Sequence, residues 1–227
     1  MAGGLRSKPG QPVEAEPSGG LLSLDGSSRG PALLYVPEAA STGPVPLAVM
    51  LHGAGGLAQQ SIHLVQHHAD TVGFIVLAPT SMEPTWDIIA QRRYGVDSEA
   101  LDALLDTTFQ SYNVDPARLA IAGFSDGASY ALSLGLTNGR LFSHVIAFSP
   151  GFMAPSQSRG MAKIFMSHGT GDAVLPIDKC SRRIEGQLRA AGYEIDYREF
   201  DGGHIVPDPT ATAFFSTLAR KDELRSR

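Results

Sequence analysis

The chain has 227 residues, of which 43% are hydrophobic, 18% charged and 25 are glycine. That mixture can fill a sizeable core, which excludes a disordered chain. With 18 basic and 23 acidic residues the formal charge is −5, so no basic field draws in nucleic acid or an anionic membrane surface, and neither is expected as a partner.

A single cysteine, Cys180, excludes an internal disulfide and a cysteine-rich metal site, and it fits a cytoplasmic location. No apolar run approaches the ~20 residues of a spanning helix, so stable membrane insertion is not expected. Residues 1–20 lie in a stretch rich in Gly, Pro and Ser and are read as a flexible tail, with residues 21–227 forming one domain.

Leu21–Leu24 and Ala32–Val36, on either side of Asp25-Gly26, are read as an opening hairpin. Apolar runs follow at Leu47–Leu51, Phe74–Ala78, Leu119–Ala122, Val145–Phe148, Ile164–Met166 and Ile195–Phe200. Most are continuous and not alternating, which marks strands covered on both faces. Between them, Ala100, Leu101, Leu104, Leu105 and Phe109 recur at helical spacing, with Glu99, Asp102 and Asp106 on the other side. Cys180, Ile184, Leu188 and Ala191 form a second stripe, opened by Asp178 as N-cap and closed by Gly192. Asp208-Pro209 starts a further helix with Phe214, Phe215 and Leu218 on its buried side. Lys221–Leu224 spells a retention signal, but three residues follow it, and it is read as a helix end. The alternation predicts an α/β protein with a mostly parallel central sheet flanked by helices.

The string Gly-x-Ser-x-Gly occurs twice, at Gly26–Gly30 and at Gly123–Gly127. As a nucleophile motif it needs a strand before it and a helix after it, because the serine must sit on a strained turn into which side chains at the glycine positions would collide. The first match lies in a polar turn and fails that test. The second follows the apolar run Leu119–Ala122 and precedes the Ala/Ser/Leu-rich stretch Gly127–Leu136, so Ser125 is the candidate nucleophile.

A serine hydroxyl needs a base, and the base needs an orienting acid. Of seven histidines, His204 follows the last apolar strand and precedes the last helix, on a loop that can reach the C-terminal edge of a parallel sheet. His63, His67 and His68 share one helix, where solvated or packed roles are expected. His52 and His168 end strands and are expected to hydrogen-bond loops. For the acid, Asp172 follows the strand ending at Ser167 and lies on the same edge; Asp178 caps a helix, Asp196 is inside a strand and Asp201 is too close to His204. The loop His52–Gly56 can aim backbone N–H groups at a developing oxyanion. Its expected donors are the N–H of Ala54 and that of Asp126, with Gly55 as the alternative second donor.

These residues resemble the phospholipase/carboxylesterase group of α/β-hydrolases, which includes acyl-protein thioesterases and small bacterial carboxylesterases. The resemblance runs from about Leu33 to Leu218 and is carried by Leu51-His52-Gly53, Thr85-Trp86-Asp87, Val114–Arg118, Gly123–Gly127, His168–Asp172 with Pro176, and Gly203-His204. It implies an α/β-hydrolase fold without a large lid and hydrolysis of a small-molecule ester through a serine acyl-enzyme, with no metal and no organic cofactor. The leading reading is a serine carboxylester hydrolase for small or medium acyl esters. The alternatives are acyl-thioesterase or lysophospholipase activity, or a polyhydroxybutyrate-depolymerase- or feruloyl-esterase-like hydrolase, and a silent ligand-binding module on the same fold is the reading from another class. Two departures count against the thioesterase branch: Asp126 stands where that branch has Gln, and Gly55-Gly56 stand where it has Gly-Asp. The Gly-rich loop is also similar to those of polyhydroxybutyrate-depolymerase and feruloyl-esterase relatives. Leu57, Trp86, Phe152, Met153, Val174 and Leu175 neighbour the motif loops and are expected to wall an apolar cleft. Oligomeric state, acyl length and alcohol are left open.

Overall fold

The computed structural model describes residues 3–12, 19–40 and 44–219. Lys221–Leu224 lie outside the described residues. A strand β1 (Gly20–Ser27) pairs antiparallel with β2 (Gly30–Val36), which pairs antiparallel with β4 (Ile75–Ala78). Every remaining neighbour is parallel: β4 with β3 (Val45–Leu51), β3 with β5 (Val114–Phe124), then β6 (His144–Phe148), β7 (Lys163–Gly169) and β8 (Ile195–Phe200). The spatial order is β1-β2-β4-β3-β5-β6-β7-β8.

The apolar runs are unbroken because the middle strands feed two cores. In β3, where every residue is buried, Leu47, Val49 and Leu51 join one core while Ala48 and Met50 join the other, as the two-residue period of a strand requires. Helices α3 (Val96–Ser111), α4 (Asp126–Thr137) and α5 (Ser181–Ala190) supply side chains to the first core. Helices α1 (Ala58–Val72) and α6 (Asp208–Phe215) supply the second. A short helix α2 (Asp87–Ala90) precedes α3.

Asp178 is not the N-cap of α5. It sits in a 3-10 turn at Ile177–Lys179, the cap position falls to Cys180, and the Asp178 carboxylate pairs instead with Arg182 at 2.7 Å. Gly192 closes this segment in the left-handed region, at φ 82°, donating to the Arg189 carbonyl. Within the stretch read as a tail, residues 3–7 lie along α3 and the end of α4: Leu5 N–H donates to Asn138 Oδ1, Asn138 donates to the Gly3 carbonyl, and Ser7 donates twice to Asp102. Among the described residues no helix is long and apolar enough to cross a membrane.

Parallel strands end at one edge, so the segments after β3, β5, β7 and β8 gather there. They carry His52–Gly56, Ser125, Thr170–Asp172 and Asp201–His204.

Candidate active site

Ser125 sits between β5 and α4 with φ 58° and ψ −119°. A non-glycine residue rarely adopts this left-handed φ, and it holds here because both flanks are locked. Ser125 N–H donates to the Phe148 carbonyl at 2.9 Å, and Ser129 N–H donates to the Ser125 carbonyl at 3.0 Å. A Cβ at Gly123 would stand 2.2 Å from the Gly127 carbonyl oxygen, and one at Gly127 would stand 2.2 Å from that of Leu51. The turn therefore needs glycine at both places. The other match, Gly26–Gly30, is the β1–β2 turn, and its Ser28 is exposed.

His204 Nε2 lies 2.8 Å from Ser125 Oγ, and its Nδ1 lies 2.6 Å from Asp172 Oδ2. The carboxylate must accept from Nδ1–H, which leaves Nε2 as the acceptor for the serine hydroxyl. Asp172 is itself held: its Oδ1 accepts from Val174 and Leu175 N–H groups at 2.9 and 2.8 Å. Burial pushes this carboxyl up, but the Leu175 N–H, the His204 imidazole and the Val174 N–H outweigh it, and its pKa lies below the ordinary carboxylate value. His168 adds a contact the sequence reading lacked, with Nε2 3.1 Å from Asp172 Oδ2 and 2.8 Å from the Leu175 carbonyl. Two acceptors around Nε2 place the proton there, and Nδ1 then accepts from Ser181 Oγ. Burial pushes the His168 pKa down, so the ring stays neutral near pH 7.

The N–H groups expected to serve an oxyanion differ in their partners. Ala54 N–H and the N–H of Asp126, at the first turn of α4, have no acceptor among the described residues. The alternative, the Gly55 N–H, is instead engaged by the Pro84 carbonyl at 2.6 Å. Gly53 brings the loop close to Ser125, since a Cβ there would stand 3.4 Å from Ser125 Cβ. His52 braces the loop from below, donating Nδ1–H to the Gly53 carbonyl at 2.8 Å and accepting Ser81 N–H at Nε2. Burial lowers its pKa too.

One brace carried no signal in the sequence. Arg29, in the β1–β2 turn that fails as a nucleophile motif, donates from one guanidinium nitrogen to Gly55 and Gly56 carbonyls and from the other to Ser81 Oγ and the Glu83 carbonyl. No local pattern marks it, because the antiparallel β2–β4 pairing is what carries the turn over the loop.

The expected cleft walls are corrected in part. Trp86 is only 1% exposed; its indole N–H donates to the His52 carbonyl at 2.9 Å and its ring stacks on Tyr130. A side chain so enclosed supports the loop from the core and presents no open wall. Val174 is 66% exposed. Leu175 lies near Gly151, where a Cβ would meet Leu175 Cδ2 at 3.3 Å. Phe152, half-buried, lines a groove of about 610 Å³ with Ile88, Arg92 and Tyr94, while Met153 and Leu57 are half-buried beside it and at the start of α1 respectively. Both ring nitrogens of His52, His168 and His204 are hydrogen-bonded within this constellation.

A parallel sheet with an antiparallel edge, a serine on a strand-to-helix elbow, and His and Asp on later strand-end loops define an α/β-hydrolase. The chain belongs to the phospholipase/carboxylesterase family, whose model matches residues 90–208. It is 33% identical over 147 residues to an acetylxylan esterase of Coprinopsis cinerea, covering 59% of this chain and 39% of that protein. It is 31% identical over 123 residues to feruloyl esterase B of Neurospora crassa, covering 51% of this chain and 42% of that one. The chain thus spans about two fifths of the length of these curated relatives. Among solved structures, esterase PE8 superposes with a TM-score of 0.64 at 22% identity, covering 90% of this chain and 98% of that one, a likeness of fold.

Proposed function

We propose that this protein is a serine carboxylester hydrolase acting on small to medium acyl esters, with Ser125, His204 and Asp172 as its catalytic triad. The observation that carries the reading is the continuous relay from Ser125 Oγ to His204 Nε2 at 2.8 Å and from His204 Nδ1 to Asp172 at 2.6 Å, built on the strained elbow. The family membership and the two esterase relatives support ester hydrolysis.

In this reading Ser125 Oγ bonds to the acyl carbonyl carbon as its proton passes to His204 Nε2. The carbonyl oxygen becomes an oxyanion facing the N–H groups of Ala54 and Asp126, which need no reorganisation as the charge forms. Collapse of this intermediate breaks the bond to the alcohol, which leaves with the proton from Nε2. Water then attacks the acyl-enzyme, Nε2 takes its proton, and the acid departs as Ser125 is restored. Asp172 holds the tautomer and stabilises the imidazolium; it does not itself take up the proton.

The relatives' names point to acetyl and feruloyl esters as the first substrates to try. The test is a panel of p-nitrophenyl esters of graded acyl length, together with an acetylated xylan, a feruloyl ester, an acyl-thioester and a lysophospholipid, each run beside Ser125→Ala. The reading expects ester turnover that disappears in the variant. Equal rates in Ser125→Ala, or none on any ester, would overturn it in favour of a silent binding module. A cytoplasmic location is part of the proposal, supported by the single, unpaired and buried Cys180; fractionation of the native host checks it.

A further inference from the structure

On the face of the sheet covered by α1 and α6, His67, His68 and Asp208 bring three ligand-type atoms within 4.8 Å of one another. His67 Nε2 lies 2.6 Å from Asp208 Oδ1, and His68 Nε2 lies 3.5 Å from the same oxygen. The two imidazoles stand 3.7 Å apart between centroids. His67 and Asp208 have exposed side chains, at 58% and 67%, whereas that of His68 is 3% exposed. The His68 ring stacks on Phe215, and its Nδ1 lies 3.3 Å from Thr212 Oγ1. Its buried Nε2 has no hydrogen-bond partner among the described residues. A buried polar atom left in that state costs free energy that a ligand could recover.

We propose that His67, His68 and Asp208 form a binding site for a divalent transition-metal ion of the Zn²⁺ type, separate from the serine chemistry. Two imidazoles and one carboxylate are donors that suit such an ion, which accepts three protein ligands and keeps an outer position for water. With Nδ1–H of His68 donating to Thr212 Oγ1, the Nε2 lone pair is turned toward Asp208 and free to coordinate. At metal–ligand bonds of about 2.0–2.1 Å, tetrahedral neighbours stand roughly 3.4 Å apart. The His68–Asp208 separation of 3.5 Å already meets that spacing. The His67–Asp208 contact of 2.6 Å is a hydrogen bond that must open by under ~1 Å, and both of its side chains are exposed enough to turn. The metal takes the place of the proton between them, and His67 coordinates through Nε2 as the neutral Nδ1–H tautomer, the proton moving from Nε2 to Nδ1 by way of solvent.

The site's position gives it a structural consequence. Asp208 opens α6 only four residues after His204, and His67 and His68 lie toward the far end of α1. An ion held by all three ties the start of α6 to α1 and anchors the chain that leaves the His204 loop.

The test uses the full chain, stripped with a chelator and dialysed. Co²⁺ is titrated in while its visible d–d absorption is followed, and Zn²⁺ binding is measured by calorimetry and by the shift in Tm. One Co²⁺ per chain, displaced by Zn²⁺, and a rise in Tm with Zn²⁺ are expected. His67→Ala and Asp208→Asn, at exposed positions that leave the core intact, should each weaken binding about tenfold or more and remove the Tm shift, and Thr212→Val should weaken it ~10–100-fold. His63→Ala, one turn earlier on α1, should leave the affinity unchanged. The proposal is overturned if the wild-type chain binds no stoichiometric metal, if both ligand variants bind as it does, or if binding follows His63 instead.

Discussion

The guanidinium of Arg29 donates to the carbonyl of Gly55 at 3.2 Å and, through the same nitrogen, to that of Gly56 at 3.1 Å. A residue of the turn that only resembles a nucleophile motif is thereby a clamp on the loop that carries the Ala54 N–H.

Arg29→Ala should therefore loosen that loop without touching Ser125. Losing an oxyanion donor outright costs ~10²–10³ in kcat. Loosening one should cost less, about tenfold in kcat, with KM within a factor of about two, since the oxyanion forms only on the way to the transition state. Arg29→Lys should rescue little, because one ammonium cannot replace a fork that spans four acceptors. Steady-state kinetics on one p-nitrophenyl ester decides it; an unchanged kcat in Arg29→Ala would mean that the Pro84, His52 and Trp86 contacts hold the loop without the guanidinium.

Asp172→Asn keeps the shape of the side chain and reverses the hydrogen-bond demand on His204, so the imidazole presents the wrong nitrogen to Ser125. Turnover should fall ~10²–10⁴-fold with little change in KM. Adding His204→Ala should then cost little more, because the residues act as one unit. Full additivity in the double variant would count against the relay.

The glycines can be tested against each other by stability alone. Gly127→Ala drives a Cβ to 2.2 Å from the Leu51 carbonyl and 2.5 Å from that of His52, both backbone atoms that cannot move aside. It should destabilise the fold by about 1–3 kcal/mol or more. Gly186, inside α5, has nothing within 4 Å of such a Cβ, and Gly186→Ala should stabilise by about 0.5–1 kcal/mol through helix propensity. Urea denaturation measures both; the same sign for the two would contradict the packing.

The buried histidines set the pH dependence of stability. His52 and His168 have pKa values lowered by burial, so between those values and the ordinary ~6.5 the unfolded chain binds more protons than the folded one. Stability should be at its full value above ~6.5 and decline as pH falls below it. Asp172, also lowered, adds a contribution present above the ordinary carboxylate pKa and lost only as pH falls through its folded value. Melting curves from pH 8 to 4 should show the first decline begin near neutrality. His168→Gln should flatten part of it, and a Tm that rises from pH 7 to 5 would reverse the assignment.

Much of the candidate site was legible because its parts are local. Strand, glycine, serine, glycine and helix follow one another within a few residues around Ser125, so sterics confined to that turn mark Ser125 as the candidate nucleophile without any distant partner. Asp172 and His204 were legible for a related reason: a continuously apolar run implies a parallel strand, and parallel strands deliver the segments after them to one edge. What tertiary structure alone decided are the pairings between residues far apart in the chain. Arg29 meets Gly56 across 27 positions because β2 turns antiparallel beside β4. The Gly55 N–H is taken up by the Pro84 carbonyl that faces it, and Trp86 becomes a buried prop because Tyr130 and the His52 carbonyl enclose it. His67 and Asp208 meet across 141 positions only where α6 crosses α1. Periodicity states which face of an element is apolar; it does not state which polar groups two packed faces will bring together, and that is settled by the packing of the whole sheet and its helices.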